Sequence, residues 1–216
     1  MSIGMILLLV LSLLILFGAL QRVLDRMALT DRQAILCVAA IFIGGWLPDI
    51  PLGIVRINIG GALIPTIVCV YLLLHAGTTK EKVRALIASA LTGAAISLLS
   101  MLFPADPISM PFDPMILYGA AGGLFAFMLG RSRRSAFIAG VLGVIIADAA
   151  AGISVWLRGV NQTLYLGGAG ALDAVVLSGI VAVLLCELVG EFLERLKTGK
   201  ANAPYEDGAV EGGSRA

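Results

Sequence analysis

The chain has 216 residues, of which 59% are hydrophobic and 13% are charged, and its net charge is +1 at neutral pH. Because soluble domains carry about 25% charged residues, this composition excludes an ordinary soluble domain and predicts an integral membrane protein surrounded by the lipid bilayer. A net charge so close to zero gives no electrostatic reason to expect a nucleic-acid partner.

Apolar stretches of membrane-spanning length recur along the chain. A bilayer core about 30 Å thick needs a helix of about 20 apolar residues. Seven stretches fit, and they cover residues 3–20, 33–48, 57–76, 84–103, 115–130, 136–155 and 171–193. The sequence therefore predicts an all-α membrane bundle of about seven transmembrane helices within residues 1–198. Residues 199–216 are polar and rich in glycine and alanine, so we expect a disordered tail there.

Lysine and arginine are concentrated in alternate connections between these segments. Of the 15 basic residues, all but Arg56 and Arg158 lie after the first, third, fifth or seventh segment. Basic loops are retained on the cytoplasmic side of a membrane. We therefore expect the N-terminus outside and the C-terminus in the cytoplasm.

The third segment opens with the unusual run RINIGGALIP. Its Gly60 and Gly61 add backbone freedom, and Pro65 removes a backbone donor and disfavours a straight helix. Irregular backbone at membrane depth survives only where protein or a wet cavity covers it. The run predicts a broken or re-entrant element that faces the bundle centre, with a simple proline kink as the alternative.

Two aspartates lie inside the apolar segments of the C-terminal half. Asp148 is in the sixth segment, and Asp173 is in the first turn of the seventh. A charged Asp at the centre of a membrane helix costs roughly 2.5–3.5 kcal/mol, so both are candidate functional residues. The predicted topology puts both in the outer half of the bilayer on sequential helices. Other polar or glycine residues are expected to approach the same layer as binding residues, namely Asp49, Arg56, Asn58, Gly168 and Gly170.

Three uses of the two aspartates are compatible with the sequence. Two adjacent carboxyls share a proton, as in the acid–base pair of an aspartyl hydrolase. The same pair could bind a cation or relay protons in a transporter. Alternatively, each could be structural, paired with Arg56 or Arg158 or capping a helix N-terminus. We expect no cofactor and no metal site, since the cysteines are isolated and metal-ligand clusters are missing from the sequence.

Two family resemblances bear on these alternatives. The order of the aspartate-bearing helices resembles that of intramembrane aspartyl proteases, although the run Gly168-Ala-Gly170-Ala-Leu-Asp173 has two more residues than their Gly-x-Gly-Asp motif. The runs INIGGALIP, GVLGVIIAD and GGAGALDAVVLSG resemble a family of prokaryotic multi-pass membrane proteins of unknown function. The second resemblance covers about residues 20–190. It implies that aspartates at positions 148 and 173 recur in the family, and that the chain lies in the cytoplasmic membrane of a prokaryote.

The sequence thus favours a membrane protein with an acidic site at Asp148 and Asp173 that transports a small solute, an ion or protons. An intramembrane aspartyl protease acting on a membrane peptide is an alternative, and a non-catalytic membrane partner or scaffold is another. Whether the chain is an enzyme, and how many copies assemble, the sequence leaves open.

Overall fold

The structure, a computed structural model, describes residues 29–102, 114–130, 132–170 and 173–201. In chain order the elements are α1 (Asp31–Gly44), β1 (Ile50–Leu52), β2 (Val55–Ile57), a π-helical turn (Ile59–Leu63) that continues into α2 (Ile64–Leu74), α3 (Thr79–Leu102), α4 (Pro114–Gly130), α5 (Arg133–Leu157), β3 (Leu164–Leu166) and α6 (Ala174–Ala201). The chain is mostly helical, as predicted, and these helices overlap the second to seventh predicted segments. The predicted segment 3–20 lies outside the described residues, as does the predicted tail from residue 202 onward.

The described helices have the length and composition of membrane helices to different degrees. Three are long and apolar enough to cross a bilayer, namely Thr79–Leu102, Arg133–Leu157 and Ala174–Glu194. Three more are apolar but shorter, namely Arg32–Gly44, Ile59–Leu74 and Ile116–Gly130. Large apolar side chains such as Leu98, Met128 and Phe192 are exposed on the outer faces of the helices. An apolar outer surface of this kind is that of a membrane protein, because lipid rather than water can solvate it.

Helices α3, α4, α5 and α6 form the main bundle, with α5 packed against the other three and also against α2. Small residues allow the close approach. Gly143 of α5 lies against Thr92 and Gly93 of α3, and Gly140 of α5 lies against Ser178 of α6. Gly140 and Gly143 therefore lie where helices approach closely, which is the usual place of small residues in membrane bundles.

A small three-stranded sheet corrects the prediction of a purely α-helical fold. Strands β1 and β2 form an antiparallel hairpin, with Ile50 opposite Ile57 and Gly53 in the turn at a φ of 66°. Strand β3 adds in parallel to β2, with Arg56 opposite Tyr165. Each strand has three residues, too few for an alternating pattern to be recognised in a sequence.

The connections fall at two ends of the bundle. At one end, here called the sheet end, lie the sheet, the C-terminus of α1 and the N-termini of the π-helical turn and of α6. At the other, here called the basic end, Arg134 donates to the carbonyl of His75, and Arg133 pairs with Glu187 at 2.6 Å. The described connections therefore alternate between ends as the sequence predicts.

Candidate functional site

The site at the sheet end is built on a glycine junction, defined as Gly44, Gly45, Gly60, Gly61, Gly167 and Gly170. Here the C-terminus of α1, the π-helical turn and the loop after β3 approach one another backbone to backbone. A Cβ on Gly60 would collide with the backbone of Ile41 and Gly45, and one on Gly61 would collide with the carbonyls of Gly167 and Gly170. Gly167 and Gly170 also adopt positive φ angles of 69° and 64°. Only glycine satisfies both demands without strain.

Asn58 fixes the first helix start at this junction. Its side-chain oxygen accepts hydrogen bonds from the amides of Gly60 at 3.0 Å and Gly61 at 2.9 Å. Its side-chain amide donates to Asp49 Oδ1 at 2.9 Å, and its backbone amide donates to the carbonyl of Leu166 at 3.0 Å. Asn58 is buried, at 4% exposure, so these bonds satisfy polar groups that would be costly to leave unpaired. The broken start predicted for the third segment is thus a π-helical turn capped by Asn58, and its glycines face the protein interior.

Asp173 fixes the second helix start. One carboxylate oxygen accepts from the amide of Val175 at 3.0 Å, and the other accepts from the amide of Ala169 at 3.2 Å. The residue is buried, at 8% exposure, and its own amide donates to the carbonyl of Gly170 at 3.0 Å. Asp173 is therefore the N-cap of α6, where the helix dipole also favours a negative charge.

Asp148 lies on α5, the helix packed against α6, and it is half-buried. It is close enough to Asp173 for the two negative charges to repel each other. In contrast to Asp173, it accepts no hydrogen bond from any residue that the structure describes. The two aspartates thus lie near each other in very different surroundings, one held by backbone amides and the other without a donor.

The remaining predicted residues take other positions. Arg56 is exposed on the sheet, with its guanidinium 5.8 Å from the centre of the Tyr165 ring. Gly168 is also exposed and lies beside Tyr165, whereas Gly170 is buried against Gly45. Arg158 ends α5 in an exposed position. Neither aspartate is paired with an arginine in the described part of the chain, so ion pairing to Arg56 or Arg158 does not explain them.

Sequence reasoning missed a set of buried hydroxyls below the aspartates. The side chains of Thr92, Ser135 and Ser178 are fully buried, and their oxygens have no hydrogen-bond partner within residues 29–102, 114–130, 132–170 and 173–201. Ser89 shows the usual alternative, since its hydroxyl donates to the carbonyl of Ala85 at 2.8 Å. Serine and threonine are common in apolar membrane helices, so their spacing in the sequence did not mark these three residues as functional candidates. Only the packed bundle shows which hydroxyls lack a partner.

Chemically, the site offers two carboxyls beside a rigid backbone junction, and one of them has no donor among the described residues. No group of three or more histidine, cysteine or acidic side chains that could hold a metal ion occurs among the described residues. A nearby anion disfavours a second negative charge, so the charge of Asp173 favours the protonated form of Asp148.

Comparison with known proteins agrees with one of the two resemblances. The chain matches a family described as "Protein of unknown function (DUF1614)" over residues 47–185, a range that includes Asn58, Asp148 and Asp173. No curated protein and no solved structure matches the chain, so nothing supports the resemblance to intramembrane aspartyl proteases. Because the family match covers more than half of the chain, the protein belongs to the DUF1614 family.

Proposed function

We propose that this protein lies in the cytoplasmic membrane and carries protons through the bundle of α3, α4, α5 and α6. Asp148 is the group that takes up and releases the proton, and Asp173 is a fixed negative charge beside it. The proposal depends mainly on one observation, which is that Asp148 accepts no hydrogen bond from a described residue while it lies near a carboxylate that accepts two.

The contrast between the aspartates assigns their roles. Burial disfavours a charge on either aspartate, and at Asp173 two backbone amides oppose this effect, because hydrogen bonds to a carboxylate favour its charge. Asp148 receives no such bond from the part of the chain that the structure describes, and it also feels the charge of Asp173. Proton binding to Asp148 relieves this repulsion, so Asp148 rather than Asp173 is suited to exchange protons.

The unpartnered hydroxyls supply a route from Asp148 toward the basic end. The positions of these hydroxyls can be followed along α5. Gly143 of α5 lies against Thr92, Gly140 lies against Ser178, and Ser135 follows one to two turns later. The route ends at the Arg133–Glu187 pair. At 1.5 Å per residue, Asp148 and Arg133 are about 22 Å apart along the helix. A hydroxyl can donate and accept at once, which proton transfer requires.

Close packing favours the proton over a larger solute. A Cβ on Gly140 would lie only 2.9 Å from the oxygens of Ser178, and one on Gly143 would lie 2.7 Å from Thr92. Helix backbones this close leave too little space at these positions for a hydrated cation or an organic molecule to pass between them.

The protease alternative receives less support from the same contacts. An aspartyl protease needs both carboxyls to face a scissile bond and a water molecule. Both oxygens of Asp173 are bound to amides of its own loop and helix. That arrangement favours a structural anion over an acid or base that changes its protonation state.

The experiment is proton flux into liposomes that contain the purified protein, measured with a trapped pH-sensitive dye under an imposed membrane potential. We expect flux with the wild-type protein and its loss in Asp148→Asn, which keeps the shape and removes the titratable group. Glu191→Gln is the matched control, because it removes an exposed carboxylate of α6 that lies beyond the end of the route and does not line the cavity beside Arg133. Equal flux in wild type and Asp148→Asn would overturn the proposal, and so would flux that requires Na⁺ in place of protons.

A further inference from the structure

A groove between α3 and α4 opens on the outer surface of the bundle at the basic end. It encloses about 520 Å³ and is lined by Thr79, Lys80, Val83, Arg84, Ile87, Ala88, Leu91 and Leu129. We propose that this groove binds one anionic phospholipid, with its phosphate at Lys80 and Arg84 and an acyl chain along the apolar wall. The proposal is independent of proton transfer.

The basic part of the groove is suited to a phosphate. Lys80 and Arg84 are four residues apart and therefore project from the same side of α3. Both are exposed, and neither forms an ion pair with a described acidic side chain. Lys80 lies in the first helical turn, where the helix dipole disfavours a cation. A bound phosphate would stabilise both cations and interact favourably with the same dipole.

The apolar part of the groove continues along the same face of α3. Val83, Ile87 and Leu91 are each about half exposed, at 49%, 55% and 50%, and Leu129 of α4 forms the opposite side. From Lys80 to Leu91 this wall is about 16 Å long at 1.5 Å per residue. A basic head and a long apolar wall together match an amphiphile rather than a small soluble anion.

The charge of the lining selects an anionic lipid. None of the residues that line this groove is acidic, whereas the neighbouring cavity beside Arg133 and Arg134 also contains Glu81 and Glu194. Basic pockets between helices on the cytoplasmic side of a membrane recognise anionic headgroups. By the positive-inside rule the basic end lies on the cytoplasmic side. The groove would therefore be at the level of the cytoplasmic leaflet, where its lipid would also lie.

Lys82 provides a matched control for the alternative that these charges only set topology. It is in the same turn as Lys80 and Arg84, but it does not line the groove, and its ammonium points to the carbonyl of Leu74 at 3.5 Å. Losing Lys82 changes the net charge of the basic end without changing the groove.

The test is thermal unfolding of the purified protein in detergent with added phosphatidylglycerol or phosphatidylcholine of the same acyl chains. We expect phosphatidylglycerol to raise the melting temperature more, and the variant Lys80→Gln/Arg84→Gln to lose most of that extra shift while Lys82→Gln retains it. Lys80 and Arg84 are exposed and Lys82 is partly exposed, so melting in phosphatidylcholine should change little and serves as the check on folding. Equal shifts with the two lipids, or an equal loss in Lys82→Gln, would overturn the proposal. Glycerol phosphate alone should give no shift, and a full shift with it would assign the site to a soluble anion instead.

Discussion

At the scale of single residues, the two aspartates show that position alone does not give a carboxylate its role. Asp173 begins a helix and is held by the amides of Val175 and Ala169. Asp148 lies within a helix and has no described donor, but it feels the charge of Asp173. The first is therefore a structural cap with a fixed charge, and the second is available for chemistry.

The role of Asp173 as a helix cap can be tested separately from its role as a negative charge. We expect Asp173→Asn to lose only part of the free energy of unfolding that Asp173→Ala loses, because the Asn oxygen can still accept from the amide of Val175 but its NH2 group cannot accept from the amide of Ala169. Asp173→Ala should lose about 1 kcal/mol, because the amide of Val175 then lacks its acceptor. The measurement is denaturant unfolding in detergent micelles, with Asp148→Asn as a comparison that should not destabilise. If Asp173→Asn lost as much stability as Asp173→Ala, the charge rather than the cap would be the stabilising feature.

The sequence predicted both aspartates but not the difference between them. Their rarity in apolar segments marks them as unusual. The donors that distinguish the two aspartates are backbone amides, which occur at nearly every position of the chain. No side-chain pattern could therefore predict them. The same limit applies to Thr92 and Ser178, whose importance depends on having no partner in the packed bundle.

At the scale of elements, the glycine junction explains why the third predicted segment is not a simple helix. The π-helical turn at Ile59–Leu63 places Gly60 against α1 and Gly61 against the loop after β3. A regular helix with side chains at these positions could not enter so narrow a space. The irregular backbone is therefore tolerated because protein covers it on both sides.

The close packing of this junction predicts that one added methyl group destabilises the fold within the junction but not at an open position. We expect Gly61→Ala to destabilise the fold by roughly 1–3 kcal/mol, as overpacking of a tight interior does, because its Cβ would collide with the carbonyls of Gly167 and Gly170. Gly77→Ala is the control, since a Cβ there would meet nothing within 4 Å. Thermal unfolding of the two variants against wild type measures the difference. Equal melting temperatures for Gly61→Ala and wild type would show that the junction is looser than described.

The run INIGGALIP carried enough information to predict a break in the helix, because consecutive glycines followed by proline are rare in a regular helix. It did not reveal what the break contacts. That contact comes from Gly44 and Gly170, which are distant in sequence and unremarkable in isolation. The strands were missed for a related reason, since β2 exists only because β1 and β3 pair with it.

At the scale of the whole molecule, the distribution of charge and the placement of the elements both distinguish the sheet end from the basic end. The sheet, the glycine junction and both aspartates lie at or toward one end, while Lys80, Arg84, Arg133 and Arg134 lie at the other. The sequence predicted this alternation from the spacing of apolar segments and basic connections. It is confirmed for the connections that the structure describes, whereas the orientation in the membrane stays a prediction.

Cysteine labelling in intact cells tests that orientation. In a variant with Cys37, Cys69 and Cys186 replaced by alanine, we expect a membrane-impermeant thiol reagent to label Asn161→Cys at the sheet end. Gly77→Cys at the basic end should react only after the cells are permeabilised, because basic connections are retained in the cytoplasm. Both positions are exposed, so access to the thiol is not limited by packing. The opposite labelling pattern would contradict the orientation.

The parallel pairing of β2 with β3 has a consequence for the order in which the protein is made. Val55 pairs with Leu164, and four of the described helices, α2 to α5, are synthesised between them. Until β3 leaves the ribosome, the amide of Asn58 lacks the carbonyl of Leu166, and Gly61 lacks the loop that covers it. A nascent chain that stops before this point contains Asp148 but not the loop that brings Asp173 beside it. The acidic site therefore forms only after β3 and the start of α6 have been synthesised.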